Sequence, residues 1–171
     1  MSSMVRALSN MFRATLDLQD NISLREELNI LENYITIQKL RFEERLDFRM
    51  EVDEEYLDLT IPKLTLQPIV ENSINYCLEK FEGICQIRVS GCKRDGCAEI
   101  SVKDNGPGMD REFVNKLLSG ESKPTRRGIG LKNIDERLRL FYGENYGLII
   151  ESERGKGTTV IIRIPAENKS V

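Results

Sequence analysis

An acidic residue at the end of an apolar strand, followed by a glycine-rich loop, limits the possible folds more than any other feature of this chain. Ala98, Ile100 and Val102 alternate with polar residues and predict a strand with one buried face. The loop Asp104-Asn105-Gly106-Pro107-Gly108-Met109 follows directly. Glycine lets a ligand approach the backbone closely, and an aspartate at a strand end can accept a hydrogen bond from an exocyclic amine, as on a purine. The alternative is an ordinary turn, since Asn-Gly and Pro-Gly are common turn dipeptides.

The composition is typical of a folded globular protein and excludes several classes of function. Of the 171 residues, 40% are hydrophobic and 31% are charged, and the net charge of −3 provides no basic footprint for nucleic acid. No apolar run is long enough to cross a membrane, and no signal peptide is visible. The chain has no histidine, which excludes His-based nucleophilic or general-base catalysis within it. The cysteines form no CxxC pair and are interpreted as reduced thiols: Cys77, Cys85, Cys92 and Cys97.

Hydrophobic periodicity divides the chain into helices and strands. A capping box at Ser23-Leu24-Arg25-Glu26 predicts the start of a helix, and Ile61-Pro62 marks a break before another, from about Leu64 to Lys80. Further predicted elements are a short N-terminal helix (Val5, Leu8, Phe12, Leu16), strands 46–52, 85–89 and 98–104, a helix after Gly128, and a hairpin of 148–151 with 158–164. Strands joined by hairpins, with helices on one face, predict an α+β fold: a two-layer sandwich with a mixed, largely antiparallel sheet.

The helix that starts at the capping box separates a helical lead-in from the main domain. It carries two apolar stripes, which indicate either burial on two sides or one wide core face. The stripes are Leu24, Leu28, Leu31, Ile35 and Ile30, Tyr34, Ile37. We therefore divide the chain into a lead-in of residues 1–43, a domain of residues 44–166 and a tail of residues 167–171. The polar end of the chain from Pro165 is predicted to fray.

Polar side chains collect on one edge of the predicted helix that ends near Lys80. At 100° per residue, Asn72, Asn75, Tyr76 and Glu79 lie apart from its apolar face. A neutral amide oxygen can ligate Mg²⁺, whose remaining positions are filled by water. The edge therefore suits a hydrated cation, and the alternative is a polar surface exposed to solvent.

A second glycine-containing stretch, Gly128-Ile129-Gly130-Leu131, is predicted to open a helix. Backbone N–H groups and the positive end of the helix dipole favour phosphate at such a position. The stretch is not a dinucleotide fingerprint, because Asn133 stands at the third glycine position and no strand leads into it. It also lacks the Gly-Lys-Ser/Thr of a Walker A loop. The preceding segment, 110–127, has a short helical patch around Phe113, Leu117 and Leu118 and is otherwise predicted to be mobile.

In their order, these motifs resemble the ATP-binding domain of the GHKL superfamily, and more closely that of LytS/YesM-type sensor histidine kinases. Residues 31–42 are similar to the family's "NYLxIQKxRF" stretch, and Gln67-Pro68-Ile69-Val70-Glu71-Asn72-Ser73 is similar to its N box, "QPLVENA". The loop after Ala98–Val102 resembles the first glycine box. Gly128–Asn133 with Glu136-Arg137-Leu138 resembles the second, and Gly155-Lys156-Gly157-Thr158 the final glycine-threonine turn. The resemblance covers nearly the whole chain and implies the Bergerat fold.

The resemblance also implies roles for individual residues. Asn72 would ligate Mg²⁺ on the triphosphate of ATP, and Glu71 would orient or deprotonate the incoming acceptor. Asp104 would read the adenine amino group. The other residues implied to line the nucleotide site are Asn75, Tyr76, Gly106, Gly108, Met109, Gly128, Ile129, Gly130, Leu131 and Thr158. Residues between Met109 and Gly128 would form a mobile lid.

At the level of function, the resemblance implies a two-component kinase domain. ATP would phosphorylate a histidine on a dimerisation helix, and the phosphate would pass to an aspartate of a response regulator. We expect a homodimer in the full-length protein, a cytoplasmic location below a membrane-anchored sensor, and no direct contact of this part with nucleic acid or membrane. Because the chain has no histidine, we expect it to be a fragment that does not autophosphorylate by itself.

Two departures from the family pattern leave other functions open. Family members often have Lys-His-Gly where this chain has Asn75-Tyr76-Cys77, so a phosphate-pairing lysine is missing, and Tyr76 is available to stack near the purine. Pro68 replaces the water-activating glutamate of gyrase-like relatives, which argues against an ATPase-driven clamp. The alternatives are a non-catalytic nucleotide-sensing module and a protein-serine kinase of the anti-sigma-factor type on the same fold.

Overall fold

The computed structural model describes residues 19–80, 82–119 and 126–168. Within these ranges the helices are α1 (Leu24–Phe42), α2 (Leu66–Lys80), α3 (Arg111–Ser119) and α4 (Arg126–Tyr142). The strands are β1 (Asn21–Ser23), β2 (Leu46–Glu51), β3 (Thr60–Pro62), β4 (Cys85–Arg94), β5 (Cys97–Asp104), β6 (Gly147–Glu153) and β7 (Gly157–Pro165). The predicted helix at Val5–Leu16 lies outside the described residues. No helix in the described ranges is both long and apolar enough to span a bilayer.

Helix α1 begins where the capping box predicts. The Ser23 hydroxyl accepts a hydrogen bond from the Glu26 N–H at 3.3 Å, and the Glu26 carboxylate accepts one from the Ser23 N–H at 2.9 Å. Its first predicted stripe is buried, whereas Ile30 and Ile37 of the second are only half-buried. The described part of the chain therefore covers one face of α1 fully and the other incompletely.

Five strands form the main sheet in the order β2-β4-β5-β7-β6. Strand β2 pairs with β4 in parallel, and the three other pairs are antiparallel. The parallel pair arises because the chain between β2 and β4 crosses over through α2 instead of turning in a hairpin. The predicted α+β fold with a mixed, largely antiparallel sheet is thus confirmed.

Helices cover one face of this sheet. Helix α2 contacts β4 and β5, α4 contacts β6 and β7, and α3 packs on α4 and β6. On β5, Ala98, Ile100 and Val102 are all fully buried beneath the helices. The opposite face carries mainly polar side chains and has no helix over it in the described ranges, so the molecule has two layers.

A second, two-stranded sheet was not predicted. Strand β1 pairs antiparallel with β3, placing Ile22 opposite Ile61. Three-residue strands are too short to show a periodic pattern, which explains why the sequence did not indicate them. Beyond β7, the Asn168 side chain accepts a hydrogen bond from the Thr60 N–H at 2.7 Å and donates one to the Asp58 carbonyl at 2.8 Å. The prediction that the chain frays from Pro165 is therefore wrong as far as Asn168.

One helix boundary differs from prediction, and one predicted helical patch is confirmed. Helix α2 starts at Leu66 rather than near Leu64, because Leu64 has a positive φ of 57° and lies in the loop before the helix. The helical patch at Phe113 is a nine-residue helix, α3, whose Val114 is buried against the core. The predicted mobile lid lies partly outside the described residues, at 120–125.

Candidate functional site

The Asp104 carboxyl group is fixed by the backbone around it. Its Oδ1 accepts hydrogen bonds from the Gly106 N–H at 2.9 Å and the Thr158 N–H at 3.1 Å. Asp104 is only 4% exposed, and Thr158 of the neighbouring strand is buried as well. The carboxylate is thereby held at the end of β5 on the side covered by the helices.

The hairpin of β6 and β7 clamps the glycine-rich loop that follows Asp104. Gly155 donates its N–H to the Pro107 carbonyl at 2.8 Å, and Met109 donates its N–H to the Ser152 hydroxyl at 2.8 Å. Gly108 and Gly157 both have positive φ, and a side chain on either would overlap a backbone carbonyl. Glycine is required at these two positions because the two backbones touch.

We expect Gly157→Ala to destabilise the chain far more than Gly155→Ala. Both residues have positive φ, but a Cβ on Gly155 meets nothing within 4 Å, whereas one on Gly157 overlaps the Asp104 carbonyl. The strained conformation alone costs about 1–2 kcal/mol, and the overlap should raise the cost at Gly157 to about 3 kcal/mol or more. Urea unfolding of the two variants measures the difference. Equal losses would show that the loop and hairpin are not in close contact.

Asn105 connects this loop to two other elements. Its Oδ1 accepts the Gln86 N–H at 2.8 Å and the Cys77 thiol at 3.4 Å, and its Nδ2 donates to the Ile84 carbonyl at 3.0 Å. The sequence placed Asn105 in a motif but predicted no role for it. These contacts make it the residue that ties the loop to helix α2 and to the start of β4.

The N box and the second glycine box meet in the structure. Asn72 on α2 is half-buried, and a Cβ on Gly130 of α4 would lie 3.8 Å from Asn72 Nδ2. As far as the chain is described, α4 already begins at Arg126, so the glycine pair lies within the first turns of the helix and not before it. Gly130 and Leu131 lie beyond the first turn of α4, so their N–H groups bond within the helix. The Leu131 side chain is 2% exposed and belongs to the core.

A cavity of about 480 Å³ opens between α2, the glycine-rich loop and α3. Three predicted site residues line it: Tyr76, Gly108 and Met109. Among the other predicted residues, those whose surroundings the structure describes do not line it: Glu71, Asn72, Asn75, Asp104, Gly106, Gly130, Leu131 and Thr158. The sequence missed Lys80, Phe113 and Arg154 as lining residues. Lys80 follows Tyr76 by one helical turn, and that spacing was the signal that could have identified it.

Glu71 and Asn75 are exposed on α2. The pKa of Tyr34 on α1 is raised above its usual value, chiefly by burial and secondly by the negative charge of Glu71. Glu71 therefore lies on the side of α2 that approaches the lead-in helix. That position separates it from the glycine-rich loop, which packs against α2 at Cys77.

A buried carboxylate joins α1 to the start of α2. Glu27 is fully buried, and its two oxygens accept the N–H groups of Leu64 at 2.9 Å and Leu66 at 2.8 Å. Burial raises the pKa of Glu27, and hydrogen bonds from the backbone of this segment oppose the rise. A helix begins with unpaired N–H groups, so Glu27 acts as a cap supplied from another helix. Its place within the apolar stripe of α1 was the signal that sequence reasoning missed.

Arg137 of α4 reaches the same loop. Its guanidinium donates to the Leu64 carbonyl at 2.9 Å and to the Thr65 hydroxyl at 3.2 Å. Burial lowers the pKa of Arg137, and the charge of Glu27 opposes this shift. Glu27 of α1 and Arg137 of α4 thus both bind the segment that leads into α2 and precedes the N box.

Curated relatives of this chain include sensor kinases. The chain is 46% identical to the sensor histidine kinase YesM of Bacillus subtilis over 99% of its length, and 32% identical to the sensor protein LytS of Bacillus cereus over 92%. The matched segments make up 28% and 27% of those two proteins, so the chain spans about a quarter of their length.

Solved structures with the same fold are kinase domains. The catalytic domain of the histidine kinase ThkA superposes with a TM-score of 0.64 at 19% identity, covering 88% of this chain and 97% of that one. The Acinetobacter baumannii histidine kinase AdeS gives 0.62 at 15% identity, covering 96% and 76%. At these identities the likeness concerns the fold.

Family profiles match both parts of the chain. Residues 1–46 match the histidine kinase family. Residues 57–168, which include the glycine-rich loop, the N box and the hairpin, match the family described as histidine kinase-, DNA gyrase B-, and HSP90-like ATPase. The predicted resemblance is confirmed: this chain belongs to the histidine kinase-, DNA gyrase B-, and HSP90-like ATPase family.

Proposed function

We propose that this chain is the ATP-binding catalytic part of a two-component sensor histidine kinase. The observation that carries the proposal is the junction of an acid-ended strand, a clamped glycine loop and the N box helix beside one cavity. Asp104, Gly108 and Asn72 supply the three kinds of group that a nucleotide and its metal require.

The purine would be read by Asp104. Its carboxylate can accept a hydrogen bond from an exocyclic amine, and the Thr158 and Gly106 N–H groups hold it in place. The cavity ends at Gly108 and Met109, with Gly106 next to the carboxylate. A small shift of the loop at Gly106 would connect the cavity to the Asp104 carboxylate. Tyr76 would then stack on the purine.

The phosphates and metal would lie toward α4. Asn72 would offer an amide oxygen to Mg²⁺ and lies beside Gly130. Gly128 and Ile129, in the first turn of α4, would offer their backbone to phosphate, and Gly130, which has no side chain, would let the phosphates approach the helix. Asn75, where the family often has lysine, can supply only a neutral amide. Lys80 and Arg154 line the cavity and would supply positive charge to any phosphate that extends into it. Arg154 is held at 3.0 Å from Asp110.

Phosphoryl transfer would rest on positioning and charge neutralisation. Glu71 is exposed toward the lead-in helix, where it can orient or deprotonate an incoming imidazole. The acceptor histidine must come from another segment or subunit, because this chain has none. We extend the proposal to a homodimer of the full-length protein on the cytoplasmic side of a membrane, and to a response regulator as the final acceptor.

Two measurements test this function. Calorimetry should detect binding of ATP with Mg²⁺, and radiolabelled ATP should leave no acid-labile phosphate on this chain alone. Adding the separately expressed histidine-bearing segment of the full-length protein should produce acid-labile label on that segment. Binding without transfer would favour the nucleotide-sensing module, and acid-stable label on serine would favour a serine kinase. Absence of nucleotide binding would contradict the proposal altogether.

A further inference from the structure

The face of the main sheet that the helices leave uncovered carries a row of cations. In the register of β2, β4 and β5, Arg49 lies opposite Arg88, and Arg88 lies opposite Lys103. All three side chains are exposed. Because neighbouring strands are about 4.8 Å apart, the row spans roughly 10 Å. Like charges directly opposite each other on adjacent strands destabilise a sheet.

Acids within the described residues neutralise only part of this charge. Arg49 contacts Asp47 at 3.7 Å, and Lys156 on the nearby hairpin contacts Glu153 at 2.8 Å. Neither Arg88 nor Lys103 forms an ion pair with any residue in the described ranges. The middle of the row therefore keeps a charge arrangement that folding alone would disfavour.

The row lines a concavity. A cavity of about 290 Å³ is lined by four cations, Arg49, Arg88, Lys103 and Lys156, and by two acids, Asp47 and Asp104. It lies on the opposite face of the sheet from the cavity that contains Tyr76 and Gly108. Four cations against two lining acids leave the cavity with a net positive charge.

We propose that this cavity binds a compact phosphoryl-bearing anion. Arginine forks and lysine ammonium groups are the side chains that proteins use for phosphate, and a multivalent anion would relieve the repulsion along the row. A protein segment is a poorer fit, because docking surfaces are anchored by aromatic and apolar side chains. The apolar lining residue here, Ile87, is 1% exposed. This cavity shares Asp104 with the proposed nucleotide site, but the Asp104 carboxylate is held on the helix-covered side of the sheet by the Gly106 and Thr158 N–H groups.

Inorganic pyrophosphate is the probe for this site. Titration of the chain without Mg²⁺, followed by amide NMR, should shift the Gln86, Arg88 and Lys103 resonances in a saturable way. The Tyr76 and Gly108 resonances should not move at the same concentrations. Shifts confined to Tyr76 and Gly108 would mean that the anion binds only in the other cavity, and would overturn the proposal.

Variants separate a built site from general charge attraction. Arg88→Gln should weaken pyrophosphate binding about tenfold, since it removes charged hydrogen bonds. The matched control is Lys93→Gln, which removes an exposed cation from the same strand outside the cavity and should leave binding unchanged. Equal weakening by both variants, or no saturable binding by the parent chain, would refute the site.

Thermal unfolding gives an independent readout. Without the anion, Arg88→Gln should melt at or above the temperature of the parent chain, because it relieves repulsion with Arg49 and Lys103. Pyrophosphate should raise the melting temperature of the parent chain but not that of Arg88→Gln. If Arg88→Gln melts lower without the anion, the arginine has a structural role and the proposal fails.

Discussion

Asp104→Asn is expected to weaken ATP binding about tenfold or more while the chain stays folded. Asparagine retains a carbonyl oxygen for the Gly106 and Thr158 N–H groups, so the loop keeps its anchor. It loses the negative charge and replaces one acceptor oxygen by an NH₂ donor, which would face the purine amine. A charge-assisted hydrogen bond is worth about 1.5–3 kcal/mol, which sets the size of the effect.

Calorimetry with ATP and Mg²⁺ is the measurement, with the unfolding midpoint of the variant as its control. A matched variant is Asp110→Asn, which removes an acid that lines the cavity and pairs with Arg154 at its surface. Exposed ion pairs contribute little, so its effect on affinity should stay within about threefold. Equal affinity of Asp104→Asn and the parent chain would remove Asp104 from the purine pocket.

Glu27→Ala is expected to reduce the free energy of unfolding by about 3–5 kcal/mol. The change removes the acceptor of two N–H groups at the start of α2 and leaves the half-buried Arg137 without the nearby negative charge. Hydrogen bonds to a charged group are worth about 1.5–3 kcal/mol each, and two of them are lost. Glu32→Ala, at an exposed position on the same helix, should change stability by about 0.5 kcal/mol or less.

A double-mutant cycle separates the capping of α2 by Glu27 from the electrostatic interaction between Glu27 and Arg137. If Glu27 and Arg137 act together on the segment before α2, the double variant Glu27→Ala/Arg137→Ala should be more stable than the sum of the single losses predicts. Urea unfolding measures the free energy of unfolding of all four proteins, provided that the m-value is the same in each. Strict additivity of the two single losses would mean that Glu27 acts only as a cap of α2. If Glu27→Ala lowers the free energy of unfolding no more than Glu32→Ala does, Glu27 does not hold the start of α2.

Local patterns were sufficient for most elements of the main domain. The capping box at Ser23, the alternation along β2 and the apolar strand that ends at Asp104 each carry their signal within a few residues, and the structure confirms all three. The short strands β1 and β3 were missed because three residues contain no measurable period. The start of α2 was placed too early because the positive φ of Leu64 leaves no trace in its identity.

The candidate site was only partly visible in the sequence. Motif order placed Asp104, Gly108 and Asn72 in one family pattern, and residue types alone indicated what each can bind. The contacts around them could not be read in this way. Ser152 holds Met109 from 43 residues away, and Lys80 and Arg154 reach the cavity from two different elements. A hydroxyl or a lysine on a polar surface has the same local pattern whether or not it faces a cavity.

The sequence by itself determined the types and order of the elements, the buried face of each and the family. The tertiary structure decided which of these faces meet. Glu27 caps a helix that starts 39 residues later, and Arg137 reaches a carbonyl 73 residues earlier. The cationic row on the open face exists only because three strands align in one register. Periodicity reports how a segment divides its surface between core and solvent, whereas contacts between distant segments depend on how the whole chain packs.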